Sequence, residues 1–328
     1  MGENASLGVH VPDTFMPAPR SLRPDDRSDA SVTRMGAAGA RVRLAWAWAW
    51  AWAWMRGAWR GGVFLLLWPA WWALWLAADG FPPWNALLLF ALVPWLAYGV
   101  ARVSGNLAGA WLDRRGQADD QPSPTRDASR GREALLALAG ALLLALALEF
   151  LGNRLTLYLG AAALAMALGV PLVQRVSYLS QAALGVACAW GIPMAFAAVQ
   201  GGVPPLGWLL LCAGTLWASG GWIWQAMAQR EEDLRRGVRS VAILLGELDL
   251  LAQALVSGGM LVALVLVGQR AELGAAYFAA LGVPALLIGA QFWIARRREP
   301  GACLRAFALG AWVGAAVFAG IVLGLALK

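Results

Sequence analysis

Residues 216–246, LWASGGWIWQAMAQREEDLRRGVRSVAILLG, place a short run of charge between two apolar segments. The charged run is REEDLRR, from Arg230 to Arg236, and apolar residues resume at Val241. Charged side chains are costly in a hydrocarbon core, so they collect in the connections between membrane helices. This stretch therefore predicts two membrane-spanning helices joined by a cationic loop.

The composition supports an all-α membrane protein over most of the chain. Of 328 residues, 60% are apolar and 14% are charged, whereas about a quarter of residues are charged in soluble domains. Apolar runs of about 20 residues, the length that crosses a bilayer core, recur from Val63 to the C-terminus. We therefore expect a polytopic helical bundle that contacts the lipid bilayer. The net charge of +7 comes largely from arginines between these runs, which indicates membrane topology and not nucleic-acid binding.

The chain divides into three predicted regions. Residues 1–43 are rich in Arg, Asp, Pro and Ser without periodicity, and they should form a disordered polar tail. Residues 44–61 contain the repeat AWAWAWAWAW, a low-complexity segment that suits the membrane interface because tryptophan favours that depth. Residues 62–328 should form the transmembrane domain.

The apolar runs predict nine spans, and the arginines predict their orientation. The spans are placed at 63–78, 84–103, 132–150, 155–172, 178–199, 204–228, 241–267, 272–294 and 302–327. With a cytoplasmic N-terminus, most arginines fall in cytoplasmic connections, whereas the outer connections hold only Arg154, Arg270 and Lys328. This asymmetry places the C-terminus outside. It also leaves two long cytoplasmic loops, 104–131 and 229–240, which we expect to cap one cavity in the bundle.

Several ordered runs resemble one family of membrane enzymes. They are FLLLWPAWWALWLAADG (64–80), LGVACAWGIPMAFAAV (184–199) and VRSVAILLG (238–246). The charged stretch also keeps Arg230, Asp233, Gly237 and Ser240 in the frame of a known aspartate motif. Together these runs resemble the UbiA family of intramembrane prenyltransferases, in particular the 4-hydroxybenzoate polyprenyltransferases of ubiquinone synthesis. The resemblance implies a bundle of UbiA type in the bacterial inner membrane.

The resemblance also implies an activity, a cofactor and a set of site residues. Family members transfer a polyprenyl group from its diphosphate to an aromatic acid, with Mg²⁺ held by carboxylates on the two cytoplasmic loops. Mg²⁺ prefers carboxylate and phosphate oxygens. The metal candidates in this chain are Asp113, Glu231, Glu232 and Asp233. Asn106 is the candidate for binding the diphosphate with its ion, and the catalytic candidates are Arg175 and Arg230.

The chain departs from the family pattern at four aspartate positions. Leu107 and Ala110 stand in the first motif, and Trp222 and Gln229 stand in the second. Both aspartate motifs are therefore incomplete. The substitutions leave a second function open, that of a catalytically silent paralogue which binds a lipid, a quinone or a partner protein.

Other polar and sulfur-containing residues favour structural roles. Glu247 and Asp249 begin the seventh predicted span, where a role at the helix end is favoured over catalysis. Cys188, Cys212 and Cys303 are each isolated in apolar sequence, without the spacing of a metal or disulfide site. We expect all three to be small core residues.

Overall fold

A computed structural model describes residues 62–116, 153–176, 180–236 and 240–328. Within these ranges the secondary structure consists of helices and the turns that join them. The helices are α1 (Phe64–Ala78), α2 (Trp84–Gly116), α3 (Arg154–Val176), α4 (Ser180–Ala189), α5 (Gly191–Gln200), α6 (Pro205–Arg236), α7 (Val241–Leu245), α8 (Asp249–Arg270), α9 (Ala275–Ala280), α10 (Gly282–Ala295) and α11 (Pro300–Ala326). A single 3₁₀ turn, Gly246–Leu248, joins α7 to α8. The all-α prediction is confirmed for this part of the chain.

Eight of the nine predicted spans coincide with described apolar helices. Six helical segments are long and apolar enough to cross a membrane, and two shorter apolar helices, Phe64–Ala78 and Arg154–Gly169, match the first and fourth predicted spans. The third predicted span, 132–150, lies outside the described residues, as do the predicted regions 1–43 and 44–61. The chain is an integral membrane protein, and the count of nine spans stays a prediction.

Two loop predictions are wrong in their first parts, because the preceding helices continue into them. Helix α2 runs to Gly116, well into the predicted loop 104–131. Helix α6 runs to Arg236, through most of the predicted loop 229–240. The α6 extension, QREEDLRR, is rich in residues that favour helices. In α6, Glu231 and Arg235 also form an ion pair at 3.9 Å with the i, i+4 spacing that stabilises a helix.

Besides the span that contains the 3₁₀ turn between α7 and α8, two spans are each built from two shorter helices, and the same pattern, Gly-x-Pro, follows both of these breaks. Helix α4 ends before Trp190 and α5 begins at Gly191, with Pro193 in its first turn. Helix α9 ends before Leu281 and α10 begins at Gly282, with Pro284 in its first turn. Proline lacks the amide hydrogen that would continue the preceding helix. Each break therefore has a local cause in the sequence.

The core forms where α1 packs between α5 and α11, and where α6 packs against α4, α8 and α11. Gly191 lets α5 approach α1 closely, since a Cβ at this position would lie 2.9 Å from the Cβ of Ala70. Trp72 is fully buried on α1, and its Nε1 donates a hydrogen bond of 3.0 Å to the carbonyl of Gly314 on α11. Small residues and satisfied indole nitrogens are what close helix packing in a membrane requires.

Polar contacts join the helix ends at each end of the bundle. At one end, Lys328 Nζ lies 3.3 Å from Asp79 Oδ1 and 3.2 Å from the carbonyl of Ala271, so the ends of α1, α8 and α11 meet. At the other end, Arg298 contacts Asp249, which joins the connection before α11 to the start of α8. The contacts of Lys328 lie at connections predicted to be outside, and the contact of Arg298 lies at a connection predicted to be cytoplasmic. Which group faces the cytoplasm stays a prediction.

Candidate active site

Trp222 fills the place on α6 where the second family motif has its first aspartate. Its indole is partly buried, and Nε1 donates to the Sγ atom of Cys188 on α4 at 3.4 Å. The ring centroid lies 6.2 Å from that of Phe307 on α11. Trp222 is thus one side of a contact that links three helices. The position carries aromatic packing in this chain instead of a charge.

An aromatic cluster extends from Trp222 into the core. Phe307 lies 5.3 Å from Phe64 between ring centroids, and Phe64 lies 6.1 Å from Trp217. Trp217 in turn lies 5.1 Å from Trp72. Tilted and edge-to-face pairs at these separations are favourable. The space next to α6 is therefore lined by aromatic rings over several turns.

Three of the four carboxylates predicted to bind metal lie at the end of α6, beyond this cluster, and the fourth, Asp113, lies on α2. The side chain of Glu231 is 81% exposed and pairs with Arg235 on the same helix. Glu232 is exposed, whereas Asp233 is half-buried. Since successive helical residues point about 100° apart, the three carboxylates cannot converge on one ion from this helix alone.

These carboxylates do not fit a Mg²⁺ site without ligands from elsewhere. Across residues 62–116, 153–176, 180–236 and 240–328, no group of three or more His, Cys, Asp or Glu side chains is placed to hold a metal ion. Of Asn106, Asp113 and Arg175 the structure describes only the backbone, which is helical at all three positions. Asn106 and Asp113 are seven residues apart on α2, which places them on one face of that helix.

Arg230 bonds to the start of the next span. Its Nη1 atom donates to the carbonyl of Gly246 at 3.4 Å and lies 3.9 Å from Asp249 Oδ2. Gly246 has φ +55 and ψ −114, a backbone conformation that is essentially limited to glycine. The turn at Gly246 therefore presents its carbonyl to the end of α6, and the Arg230 side chain is 34% exposed beside it.

Arg298 forms an ion pair with the buried carboxylate of Asp249, which the sequence did not reveal. The Asp249 side chain is only 1% exposed, and its Oδ1 accepts a hydrogen bond from Arg298 Nε at 2.9 Å. Oδ1 also accepts from the amide of Leu250 at 2.7 Å, so Asp249 occupies the helix-end position that we predicted. Arg298 Nη2 donates to the carbonyl of Glu247 at 2.8 Å. A signal was present, because Asp249 lies in the cytoplasmic half of the predicted span 241–267 and Arg296–Arg298 lie in a connection predicted to be cytoplasmic.

The cysteine prediction is confirmed for two residues and wrong for one. Cys188 and Cys303 are buried, whereas Cys212 is exposed, and all three are free thiols. Cys212 lies on a face of α6 that the other described helices do not cover. An apolar residue in a membrane span can face lipid as readily as the core.

Comparison with known proteins identifies the family. The model of the UbiA prenyltransferase family matches residues 66–315. A 4-hydroxybenzoate octaprenyltransferase of Xanthomonas oryzae pv. oryzae (strain PXO99A) is 48% identical over 260 residues, which is 79% of this chain and 87% of the relative. The protein of that name from Xylella fastidiosa (strain M12) is 47% identical over 263 residues, 80% of this chain and 88% of the relative.

Solved structures agree with the fold. The apo structure of a UbiA homolog from Aeropyrum pernix K1 has a TM-score of 0.65 at 22% identity and covers 79% of this chain and 96% of its own. A structure of digeranylgeranylglyceryl phosphate synthase has a TM-score of 0.59 at 13% identity, with 82% and 99% covered. The bundle of UbiA type is thus confirmed, and the chain belongs to the UbiA prenyltransferase family.

Proposed function

We propose that this protein transfers a polyprenyl group from its diphosphate to 4-hydroxybenzoate, as a step of ubiquinone synthesis in the bacterial inner membrane. The observation that carries the proposal is the identity of 48% over 260 residues to relatives that bear this name. The match extends over 87% of the relative's length, so it includes the spans that enclose a site as well as their connections. The cytoplasmic N-terminus and the outer C-terminus are part of the same proposal.

The proposed site lies where α2 and α6 end. Asp233 is half-buried at the end of α6, and Asp113 on α2 is its proposed partner across the cavity. Asn106 is proposed to contact the diphosphate, and Arg175 to bind the carboxylate of the aromatic acid, since a guanidinium suits planar anions. Arg230 is proposed to face the diphosphate from the end of α6, while its Nη1 is held by Gly246.

Use of Mg²⁺ is the part of the proposal that the described residues support least. Glu231, Glu232 and Asp233 supply three carboxylates on one helix, and a site for a hard cation would need Asp113 as well. We derive no step through the ion, because the described carboxylates do not enclose one. The substrates would instead be oriented by the arginines and by the apolar walls of the bundle.

The test is a prenyl-transfer assay on the purified protein with a polyprenyl diphosphate and 4-hydroxybenzoate. We expect prenylated product, and loss of product on Asp233→Asn. Glu247→Gln is the matched control, because Glu247 is an exposed carboxylate whose side chain lies outside the proposed site. Absence of product with and without Mg²⁺ would remove the proposal.

One observation favours a second function, that of a catalytically silent paralogue. Trp222 occupies an aspartate position and packs on Cys188 and Phe307, so the substitution is accommodated by the core and leaves no charge there. Such a protein would keep an apolar tunnel and bind a polyprenyl chain without metal dependence. Replacing Leu107, Ala110, Trp222 and Gln229 together by Asp should then create Mg²⁺-dependent binding of a polyprenyl diphosphate that the unmodified protein lacks.

A further inference from the structure

A narrow cavity lies inside the bundle between α6, α8, α10 and α11, away from the carboxylates of the proposed site. Three of its lining residues are polar, namely Gln253, Ser257 and Gln291. They are 2%, 8% and 5% exposed. The remaining lining residues are apolar or glycine, apart from Trp217 and Trp224, and no charged side chain borders the cavity.

The amide of Gln253 is fixed by its neighbours. Trp224 Nε1 can only donate a hydrogen bond, so the oxygen of Gln253 must face it, at 2.9 Å. The nitrogen of Gln253 then donates to the carbonyl of Gly220 at 3.1 Å. This orientation uses one of the two amide hydrogens of Gln253. It also leaves the hydroxyl of Ser257 without the donor that the opposite orientation would supply.

Gln291 is satisfied at one atom only. Its Nε2 donates to the carbonyl of Ala306 on α11 at 2.8 Å. Within the described residues, its oxygen and its second amide hydrogen have no protein partner. An amide left unpaired inside a membrane protein carries a large desolvation cost, because neither lipid nor apolar side chains can replace the bond. The three polar residues therefore face a cavity with hydrogen-bonding capacity left over.

The dimensions of the cavity limit what fills it. A Cβ built on Gly310, which lines the cavity, would lie 3.4 Å from the Phe64 ring and 3.7 Å from Gln291 Nε2. These are ordinary van der Waals distances, so there is room for one methyl-sized group at this point. A water molecule has this size, and a buried water characteristically makes about three hydrogen bonds to otherwise unsatisfied groups.

We infer that this cavity is a binding site for ordered water, which bonds to Gln291, Gln253 and Ser257 in the membrane interior. The water joins α8 to α10, and through the Gln291–Ala306 bond to α11. A charged ligand is excluded by the neutral lining, and the cavity volume of about 20 Å³ leaves no room for a larger neutral ligand. The inference is independent of the proposed transferase activity.

The first test is hydroxyl-radical footprinting of the purified protein by synchrotron radiolysis. Radicals formed from a bound water oxidise the side chains next to it, even where bulk solvent has no access. Met260 lines the cavity and is 1% exposed, whereas Met194 and Met227 are 3% and 4% exposed and do not line it. We expect Met260 to be oxidised several-fold faster than either control. Oxidation of Met260 at or below the rate of Met194 would overturn the inference.

The second test fills the space. Gly310→Ala adds a methyl group to the wall of the cavity and reduces the space for water, and Gly289→Ala on α10 is the matched control because nothing lies within 4 Å of its Cβ position. We expect Gly310→Ala to reduce the labelling of Met260 to the level of Met194 and to lower the Tm relative to Gly289→Ala. In a dry cavity the added methyl group would improve packing, so a Tm equal to or above that of Gly289→Ala would overturn the inference. Labelling of Met260 that persists in Gly310→Ala would do so as well.

Discussion

Removing Arg298 should destabilise the fold more than any change to an exposed charge at the same end of the bundle. The Asp249 carboxylate is 1% exposed, and Arg298 Nε at 2.9 Å is its close ionic partner. Arg230 Nη1 is a more distant cation at 3.9 Å. Replacement of Arg298 by Met keeps much of the aliphatic stem and leaves the carboxylate buried without its main partner.

The expected loss of stability follows from the unequal burial of the Asp249 and Arg298 side chains. Removing one partner of a buried ion pair costs about 3–5 kcal/mol in the free energy of unfolding. Arg298 is 38% exposed, so the cost of Arg298→Met should lie at the lower end, about 3 kcal/mol. Asp249→Asn should cost less, because the guanidinium that remains can turn to water and the Asn oxygen can still accept from Leu250. The double variant should be more stable than the sum of the two single changes predicts, since it leaves no buried charge.

The assay is thermal unfolding in detergent for the two single variants, the double variant and Glu231→Gln. For a cost of about 3 kcal/mol, Tm should fall by roughly 6–12 °C on the scale of domains of 150–250 residues. Glu231→Gln removes an ion pair of 3.9 Å whose side chains are 75% and 81% exposed, and its Tm should match the unmodified protein. If Arg298→Met and Glu231→Gln gave the same Tm, the buried pair would not stabilise the fold, and this reasoning would be refuted.

Three further predictions concern topology, the site and the aromatic cluster. Reporter fusions at Gln121 and Glu232 should both report the cytoplasm, because arginines concentrate in these connections; an outside signal from either reverses the orientation. The carboxylates of Asp113 and Asp233 should lie within about 12 Å, a span that two ions and a diphosphate could bridge given ligand distances near 2 Å. Spin labels on cysteines that replace these two residues should report a short distance between the positions, and labels on opposite sides of the bundle would remove the site. Trp222→Ala should lower the free energy of unfolding by about 3 kcal/mol, because it leaves a cavity. The same change at an exposed tryptophan of α11 should have little effect. Equal losses for the two variants would mean that Trp222 does not pack in the core.

Apolar length predicted the helices well, because a span must cross about 30 Å of hydrocarbon whatever it packs against. The breaks before Gly191 and Gly282 were missed, although each Gly-x-Pro pattern was visible. The length of an apolar run does not reveal a helix break, since the two helices on either side of the break are both apolar. The close approach of Gly191 to Ala70 depends on two helices far apart in sequence, which no local pattern encodes.

For α6, the sequence predicted which candidate residues share a helix face, but not what their side chains contact. The spacing of positions 222, 229 and 233 places them on one face of α6. Helical periodicity does not predict which other helices that face contacts. The Cys188 and Phe307 neighbours of Trp222 depend on how α4 and α11 are rotated. The pairing of Arg298 with Asp249 was within reach, because Asp249 lies in the cytoplasmic half of a predicted span and Arg298 lies in a connection predicted to be cytoplasmic. What was missing was a reason to choose Arg298 from three consecutive arginines.

A charge is tolerated inside the bundle only where partners satisfy it. This rule gives the variant with four introduced Asp residues a second measurable property, which is its thermal stability. Asp249 is tolerated in the interior because Arg298 and an amide satisfy it. At Trp222, by contrast, the neighbours are a thiol and an aromatic ring, and an aspartate there would be buried without a partner. The variant with Asp at positions 107, 110, 222 and 229 should therefore unfold at a lower temperature than the unmodified protein when metal is absent. Mg²⁺ should raise the Tm of that variant, because a ligand that binds only the folded state stabilises it. If the chain is the silent paralogue, Mg²⁺ should not change the Tm of the unmodified protein. Equal Tm values for the variant with Mg²⁺ and with EDTA would mean that α2 and α6 do not bring their carboxylates together, and the metal site would have to be abandoned even if the protein transfers prenyl groups.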